Sequence, residues 1–281
     1  MTSADRAGFW RRFRRNRPAV FALWLLAAIV VVAIFAPVVY PGDPFAIVGK
    51  PFEPPFGEYL FGTDQLGRDV AAGIARGAMT SLLIGVVATV CAMAIGVVVG
   101  GAAGYFGGRV DVFLMRTTEA FQTVPAFIFA IVLVAILSPS LTSTIIAIAV
   151  VSWPPMARLT RGEVLATRNR EFVQACVSIG MSDARVILRH ILPNCASSII
   201  VTGSLMVATA ILIESGLSFL GLGDANLMSW GYLIGAGRTV LRTAWWVCAF
   251  PGIAILLTVL SINLFGEGLN DALNPRLRHA D

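Results

Sequence analysis

The chain has 281 residues, 57% of them hydrophobic and only 13% charged, with a mean hydropathy of +0.81. Soluble domains carry about 25% charged residues, so a bilayer is the solvent that suits this composition and a water-soluble domain is excluded. The net charge of +5 does not point to nucleic acid, because the arginines flank apolar segments and form no basic domain, and Lys50 is the sole lysine. The four cysteines, Cys91, Cys176, Cys195 and Cys248, show no CxxC spacing and read as apolar fillers, not as a zinc site or a disulfide framework.

In chain order, residues 1–18 form an arginine-rich segment in which Phe9 and Trp10 read either as an interfacial helix or as part of an orientation signal. No small-residue cleavage site follows, so residues 19–39 are a retained first span and not a signal peptide. Residues 40–77 are a loop rich in Pro and Gly. A second span is expected from about Thr80 to Phe106. Gly96, Gly100, Gly104 and Gly108 recur there every four residues, with Ala92 one step before, which suits close helix packing better than a pore lining. The uncharged stretch between Glu119 and Arg158 is too long for one helix. Ser138-Pro139-Ser140 divides it into a third span, about Ala120 to Leu137, and a fourth, about Leu141 to Trp153. The fifth is expected from Cys195 to Ile213 and the sixth from Ala244 to Phe265. Pro125, Pro154 and Pro251 are expected to kink spans.

Arginine asymmetry sets orientation. Sixteen basic residues fall on the side of the N-terminal segment, the 158–193 loop and the 272–281 tail, against five on the other side. The positive-inside rule places both termini in the cytoplasm and the 40–77 loop outside. The expected fold class is an all-α integral membrane protein with six transmembrane helices, five of them in a core spanning 78–271.

The cytoplasmic loop reads as two short helices joined at Gly180. Leu165, Phe172, Cys176 and Ile179 draw one apolar stripe, Ser182 is placed to cap the second helix, and Pro193 sits at the start of the fifth span. From periodicity alone, such a helix pair either lies on the lipid surface or inserts into a partner's groove. No Walker A loop is available to this chain, since Lys50 is followed by Pro51 and Pro44 occupies the first glycine position.

The string QACVSIGMSDARVILRHILP (174–193) resembles the EAA loop of ABC importer permeases, with Gly180 and Leu192-Pro193 at the required spacing. Gln174 stands where the pattern has Glu, Cys176 replaces its second Ala and His190 takes the Ile position, with Glu171 one turn earlier; shape and apolar contact are therefore expected to do most of the docking. YLFGTDQLGRDV, AGYFGGRVDVFLMR, SGLSFLGLG and LFGEGLNDALNPRLR, in that order along the chain, are similar to dipeptide and oligopeptide permeases of the DppC/OppC type. The resemblance implies a type I importer permease (MetI-like) fold and a transport subunit without catalytic residues or cofactors of its own. It also implies a homologous second permease, one or two ATPase subunits that carry ATP and Mg, an extracytoplasmic peptide-binding protein and surrounding lipid as partners. Permeases of this type carry peptides, nickel complexes or glutathione. The ATPase-coupling residues it implies are Glu171, Gln174, Ala175, Cys176, Gly180, Asp183, Arg189, His190, Leu192 and Pro193.

Three further expectations concern charge. Glu214, at the expected end of the fifth span and before Ser215 and Ser218, reads as part of an external gate, as a hydrogen-bond anchor for the following turn, or as a carboxylate snorkelling to the interface. Asp64, Arg68 and Asp69 read either as binding-protein contacts or as a turn with a helix cap at Thr63 or Asp64. The expected span interiors carry no Asp, Glu, Lys or Arg, which argues against a secondary carrier; a passive channel leaves the EAA-like spacing unexplained.

Overall fold

The computed structural model describes residues 13–273. Phe9, Trp10, Arg276 and Arg278 lie outside the described residues. Among those described, ordered structure is helical apart from one isolated bridge between Thr63 and Asp69. The helices are α1 (Arg17–Val39), α2 (Val70–Phe106), α3 (Gly108–Gln122), α4 (Ala126–Leu137), α5 (Leu141–Arg168), α6 (Glu171–Ser178), α7 (Asp183–Val186), α8 (Leu192–Phe219), α9 (Trp230–Gly237) and α10 (Trp246–Leu273).

Among the described residues, four helical runs are long and apolar enough to cross a membrane: α1, α2, the run from Asp183 to Phe219, and α10. The α3–α4 pair makes a fifth crossing if counted as one, but it is bent by 83°. The expected single third span is therefore not formed. Pro125 disfavours helical geometry at Val124 and starts α4 anew. Twelve uncharged residues in α4 reach only about 18 Å, short of a hydrocarbon core of about 30 Å. Arg109, Asp111, Arg116 and Glu119 are confined to α3. The expected fourth span falls in the first half of α5, which is not among these apolar runs, so the expected count of six spans is not reached; α5 continues past Trp153 and through Pro154 and Pro155 to Arg168. The long connector thus begins after Arg168, eleven residues later than expected, because α5 carries Arg158, Arg161 and Glu163 within its own last turns.

Helix α2 also departs from its expected limits. Asp69 accepts a hydrogen bond from the Ala71 amide at 2.8 Å and starts the helix at Val70, so Arg76 lies within the helix and the loop expected over 40–77 ends at Asp69. Burial raises the Asp69 carboxyl above the usual carboxylate range, and the amides it caps oppose that shift. Replacing Asp69 with Ala is expected to cost about 1 kcal/mol, and with Asn much less, read as thermal unfolding in detergent.

The seam between α2 and α5 explains the glycine repeat. A Cβ on Gly96 would come within 2.6 Å of Met156 Cβ, one on Gly104 within 2.8 Å of the Arg161 carbonyl, and one on Gly100 would collide with the Ala157 carbonyl. The two backbones therefore lie against each other, and Ala92 extends the seam toward Trp153 and Ala157. Gly108 does not take part: it lies beyond α2 with φ +53 and open space around it.

Helices α2 and α10 both begin at the Thr63–Asp69 segment, where Trp246 Nε1 donates to the Thr63 carbonyl at 3.1 Å. At the opposite end Asn16 Nδ2 donates to Asp271 at 3.0 Å, joining the start of α1 to the end of α10. That end of the bundle also carries the Gly180 connector.

Candidate functional site

The connector is built from a helix stop and a helix restart. Helix α5 ends at Asn169, and α6 restarts with Arg170 as its N-cap and Glu171 in its first turn, where a carboxylate suits the helix dipole. This break changes the expected stripe. Leu165 belongs to α5, and within α6 the buried side chain is Val173, 1% exposed, with Cys176 half-buried beside it. Phe172 and Ile179 face outward at 38% and 74% exposure, alongside exposed Val177, Gln174 and Ala175.

Gly180 adopts φ +78, and its amide donates to the Val177 carbonyl at 2.9 Å while Met181 donates to Cys176 at 3.2 Å, a left-handed helix stop. Ser182 occupies the next N-cap position with its backbone: its carbonyl accepts from Arg185 and Val186 at 2.9 and 3.0 Å. The expected side-chain cap from Ser182 is absent. From Asp183 the helix is continuous to Phe219 and does not restart at Cys195. Arg189 and His190 lie on a π-helical turn, Ile187–Ile191, which leads directly into Leu192 and Pro193. A π turn inserted in an α-helix often marks a functional position.

Two buried valines seat this connector on the bundle. Val173 of α6 and Val186 of α7 pack in one cluster with Tyr105, Met156, Val164, Ile191 and Cys195. The Tyr105 hydroxyl donates to Asp183 Oδ1 at 2.7 Å. A crevice of about 470 Å³ opens beside this contact, lined by Phe106, Arg168, Gln174 and Ser178 among others. Nearby, Arg161 grips Asp111 with two hydrogen bonds of 2.5 and 2.6 Å, tying α3 to α5 in the bidentate geometry that favours Arg over Lys.

The opposite end of the bundle holds Glu214. Helix α8 continues five residues past it to Phe219, and the side chain is 1% exposed, so it does not snorkel to an interface. Its Oε1 accepts from Ser218 at 2.8 Å, and its Oε2 from Ser81 at 3.2 Å and Ser215 at 3.4 Å. The Ser229 hydroxyl also reaches it. Ser229 is the N-cap of α9, accepting from the Tyr232 amide at 3.1 Å, and the Trp230 amide donates to Ser81 at 3.3 Å. The carboxyl thus sits where the positive end of a short helix meets two long ones. Gly231 allows the approach, since a Cβ there would lie 2.6 Å from Ser215 Cα. Glu214 is an anchor for α9, and it corrects the expectation that the span interiors carry no acidic residue.

The 40–69 segment is largely closed on itself, although the buried Arg68 Nε has no hydrogen-bond partner. Asp64 is buried and accepts from the Leu66 and Arg68 amides at 2.7 and 2.9 Å, closing a turn on itself and presenting nothing outward. The helix cap expected at Thr63 or Asp64 belongs to Asp69 instead. Thr63 bonds back to Lys50 and Glu53. Arg68, half-buried, donates to the Tyr232 hydroxyl at 3.2 Å and lies over the Phe45 ring at 5.2 Å, so it fastens this segment to α9. Tyr232, Ser81, Trp230, Tyr105 and the Asp111–Arg161 pair were not singled out from sequence. Only Asp111 and Arg161 gave any signal, as opposite charges flanking apolar runs.

A model of the binding-protein-dependent transport system inner membrane component family matches residues 96–279, and a model of the N-terminal TM domain of oligopeptide transport permease C matches residues 7–55. A putative peptide transport system permease protein of Brucella abortus is 43% identical over 95% of this chain and 91% of its own. The dipeptide transport system permease protein DppC of Bacillus subtilis is 40% identical over 96% and 85%. Among solved structures, the MetNI methionine ABC transporter in inward-facing conformations includes a chain with a TM-score of 0.60 at 16% identity, covering 72% of this chain and 96% of that one, a likeness of fold. The chain belongs to the binding-protein-dependent transport system inner membrane component family, the permeases of ABC importers, and is of the DppC/OppC type.

Proposed function

We propose that this chain is one of two homologous membrane subunits of an importer that moves di- and oligopeptides across the inner membrane. Separate ATPase subunits drive it, and an extracytoplasmic binding protein delivers the peptide. The observation that carries this reading is the Gly180 connector. It presents an outward-facing apolar surface from Phe172, Val177 and Ile179, at the bundle end where α1 starts and α10 finishes. The arginine asymmetry supports placing that end, and both termini, in the cytoplasm. The substrate class is that of the DppC- and OppC-type relatives. ATP and Mg would reside on the partner subunits. Closing of the ATPases would shift the connector and bias the bundle between inward- and outward-facing states, each ligand favouring the state it binds better.

Gly180 supplies the test. A Cβ there meets nothing within 4 Å, so bulk is tolerated and the left-handed φ of +78 is what an ordinary residue resists. In the assembled transporter, Gly180→Val is expected to cut peptide uptake about tenfold while ATP hydrolysis continues, a cost of roughly 1–2 kcal/mol at the turn. Gly180→Asn should be much milder. Normal uptake by the Val variant at normal abundance would refute the assignment.

A further inference from the structure

We propose that Tyr105 is a positioning residue that sets the angle between the Gly180 connector and the α2–α5 pair. This rests on the importer reading above. The glycine seam makes α2 and α5 one rigid unit, because their backbones are in contact at Gly96, Gly100 and Gly104. Helix α6 follows α5 directly along the chain. Helix α7 does not: it lies beyond the Gly180 turn and is continuous with α8 in a 37-residue run. The connector is therefore a joint between two long bodies, and its two halves belong to different ones.

Two kinds of contact close that joint. The buried valines 173 and 186 are apolar plugs, and apolar burial is non-directional, so the plugs resist separation but not rotation. A hydrogen bond is directional, and the Tyr105 hydroxyl to Asp183 at 2.7 Å runs from the last turn of α2 to the first residue of α7. The Arg168 guanidinium, at the end of α5, stands 5.9 Å from the centre of the same ring. Tyr105 is thus held from the α5 side through its face and from the α8 side through its hydroxyl. The crevice beside it leaves this meeting point without continuous packing. A displacement of α7 reaches the α2–α5 unit at the connector through this hydroxyl, while farther along the run Thr167 meets Cys195 at 3.8 Å and Ile191, Cys195 and Ile199 pack against Met156 and Val164.

The test uses the complete transporter, with both permeases, the ATPases and the binding protein, in phosphatidylethanolamine–phosphatidylglycerol vesicles. Labelled trialanine uptake and ATP hydrolysis are measured together. Tyr105→Phe removes one oxygen and keeps the ring under Arg168. It is expected to lower peptide moved per ATP hydrolysed by about threefold to tenfold, the scale of one ordinary hydrogen bond, with hydrolysis itself and the melting midpoint nearly unchanged. Asp183→Asn should lower the ratio in the same direction. The double variant should be no worse than the stronger single one, because both act on the same bond: Tyr105→Phe removes it, and Asp183→Asn, whose amide oxygen still accepts, weakens it. A wild-type ratio in both single variants overturns the proposal, and so do additive losses or a fall in ratio that tracks a fall in thermal stability. If the unmodified assembly hydrolyses ATP without accumulating trialanine, the peptide-importer reading fails first and takes this one with it.

Discussion

Replacing Gly100 with Ala is expected to destabilise the bundle by about 3 kcal/mol, the upper end for overpacking, because the added methyl would meet the Ala157 carbonyl oxygen. A clash with a flexible side chain is relieved by rotation, but a backbone carbonyl in mid-helix moves only if α2 and α5 separate. The control is its neighbour. A Cβ on Gly101 meets nothing within 4 Å, so Gly101→Ala should be neutral or stabilising by up to about 1 kcal/mol, through helix propensity alone. Thermal unfolding of the two variants in detergent decides the matter. Equal midpoints would show that the seam does not exist as described. Because the seam is what makes α2 and α5 one body, Gly100→Ala should also lower uptake in whatever fraction of the protein still inserts.

Glu214→Ala is expected to cost roughly 2–4 kcal/mol. It leaves the hydroxyls of Ser81, Ser215 and Ser218 without their common acceptor and opens a cavity beside Trp230, itself 1% exposed. Glu214→Gln keeps the volume and one carbonyl oxygen. Its amide must donate to a hydroxyl that formerly donated to it, so a loss nearer 1 kcal/mol is expected. Loosening should be local as well as global. The eight residues of α9 are held to α2 and α8 by this cluster, so protease cleavage within Trp230–Gly237 should accelerate in the Ala variant ahead of unfolding. An Ala variant as stable as the wild type, with α9 still protected, would show that Glu214 is a passenger. The same cluster bears on the gate reading. Arg68 reaches Tyr232 on α9, so a shift of α9 would carry the external segment with it.

Composition and periodicity were enough to read an all-α membrane protein and the helix–Gly180–helix connector, and charge asymmetry gave an expected orientation. These features rest on local physics: apolar length sets a span, arginine placement sets its direction, and a glycine at positive φ stops a helix. The family followed from spacing, chiefly Gly180 to Pro193. What went astray depended on helix breaks that an uncharged or apolar count does not register, and on contacts distant in sequence. The third span broke at Pro125 into two helices at 83°, since α3 is charged and α4 short; the uncharged count alone did not reveal where the chain turns. The Leu165–Ile179 stripe failed because α5 ended at Asn169, which reset the helical phase by which faces had been counted.

Glu214 shows the division most plainly. From sequence it was a carboxylate at the edge of an apolar run, open to three readings: part of a gate, a hydrogen-bond anchor or a carboxylate snorkelling to the interface. The tertiary structure buries it, because Ser81 on α2, Ser229 before α9 and Ser215 and Ser218 on its own helix supply hydroxyl donors that replace water. A single helix carries information about its length, its caps and its polar faces, and those the sequence alone determined. Which donors meet a buried acceptor, which glycines face a neighbouring backbone and which tyrosine bridges two helices depend on how the helices rotate against one another. Only packing in three dimensions decided that.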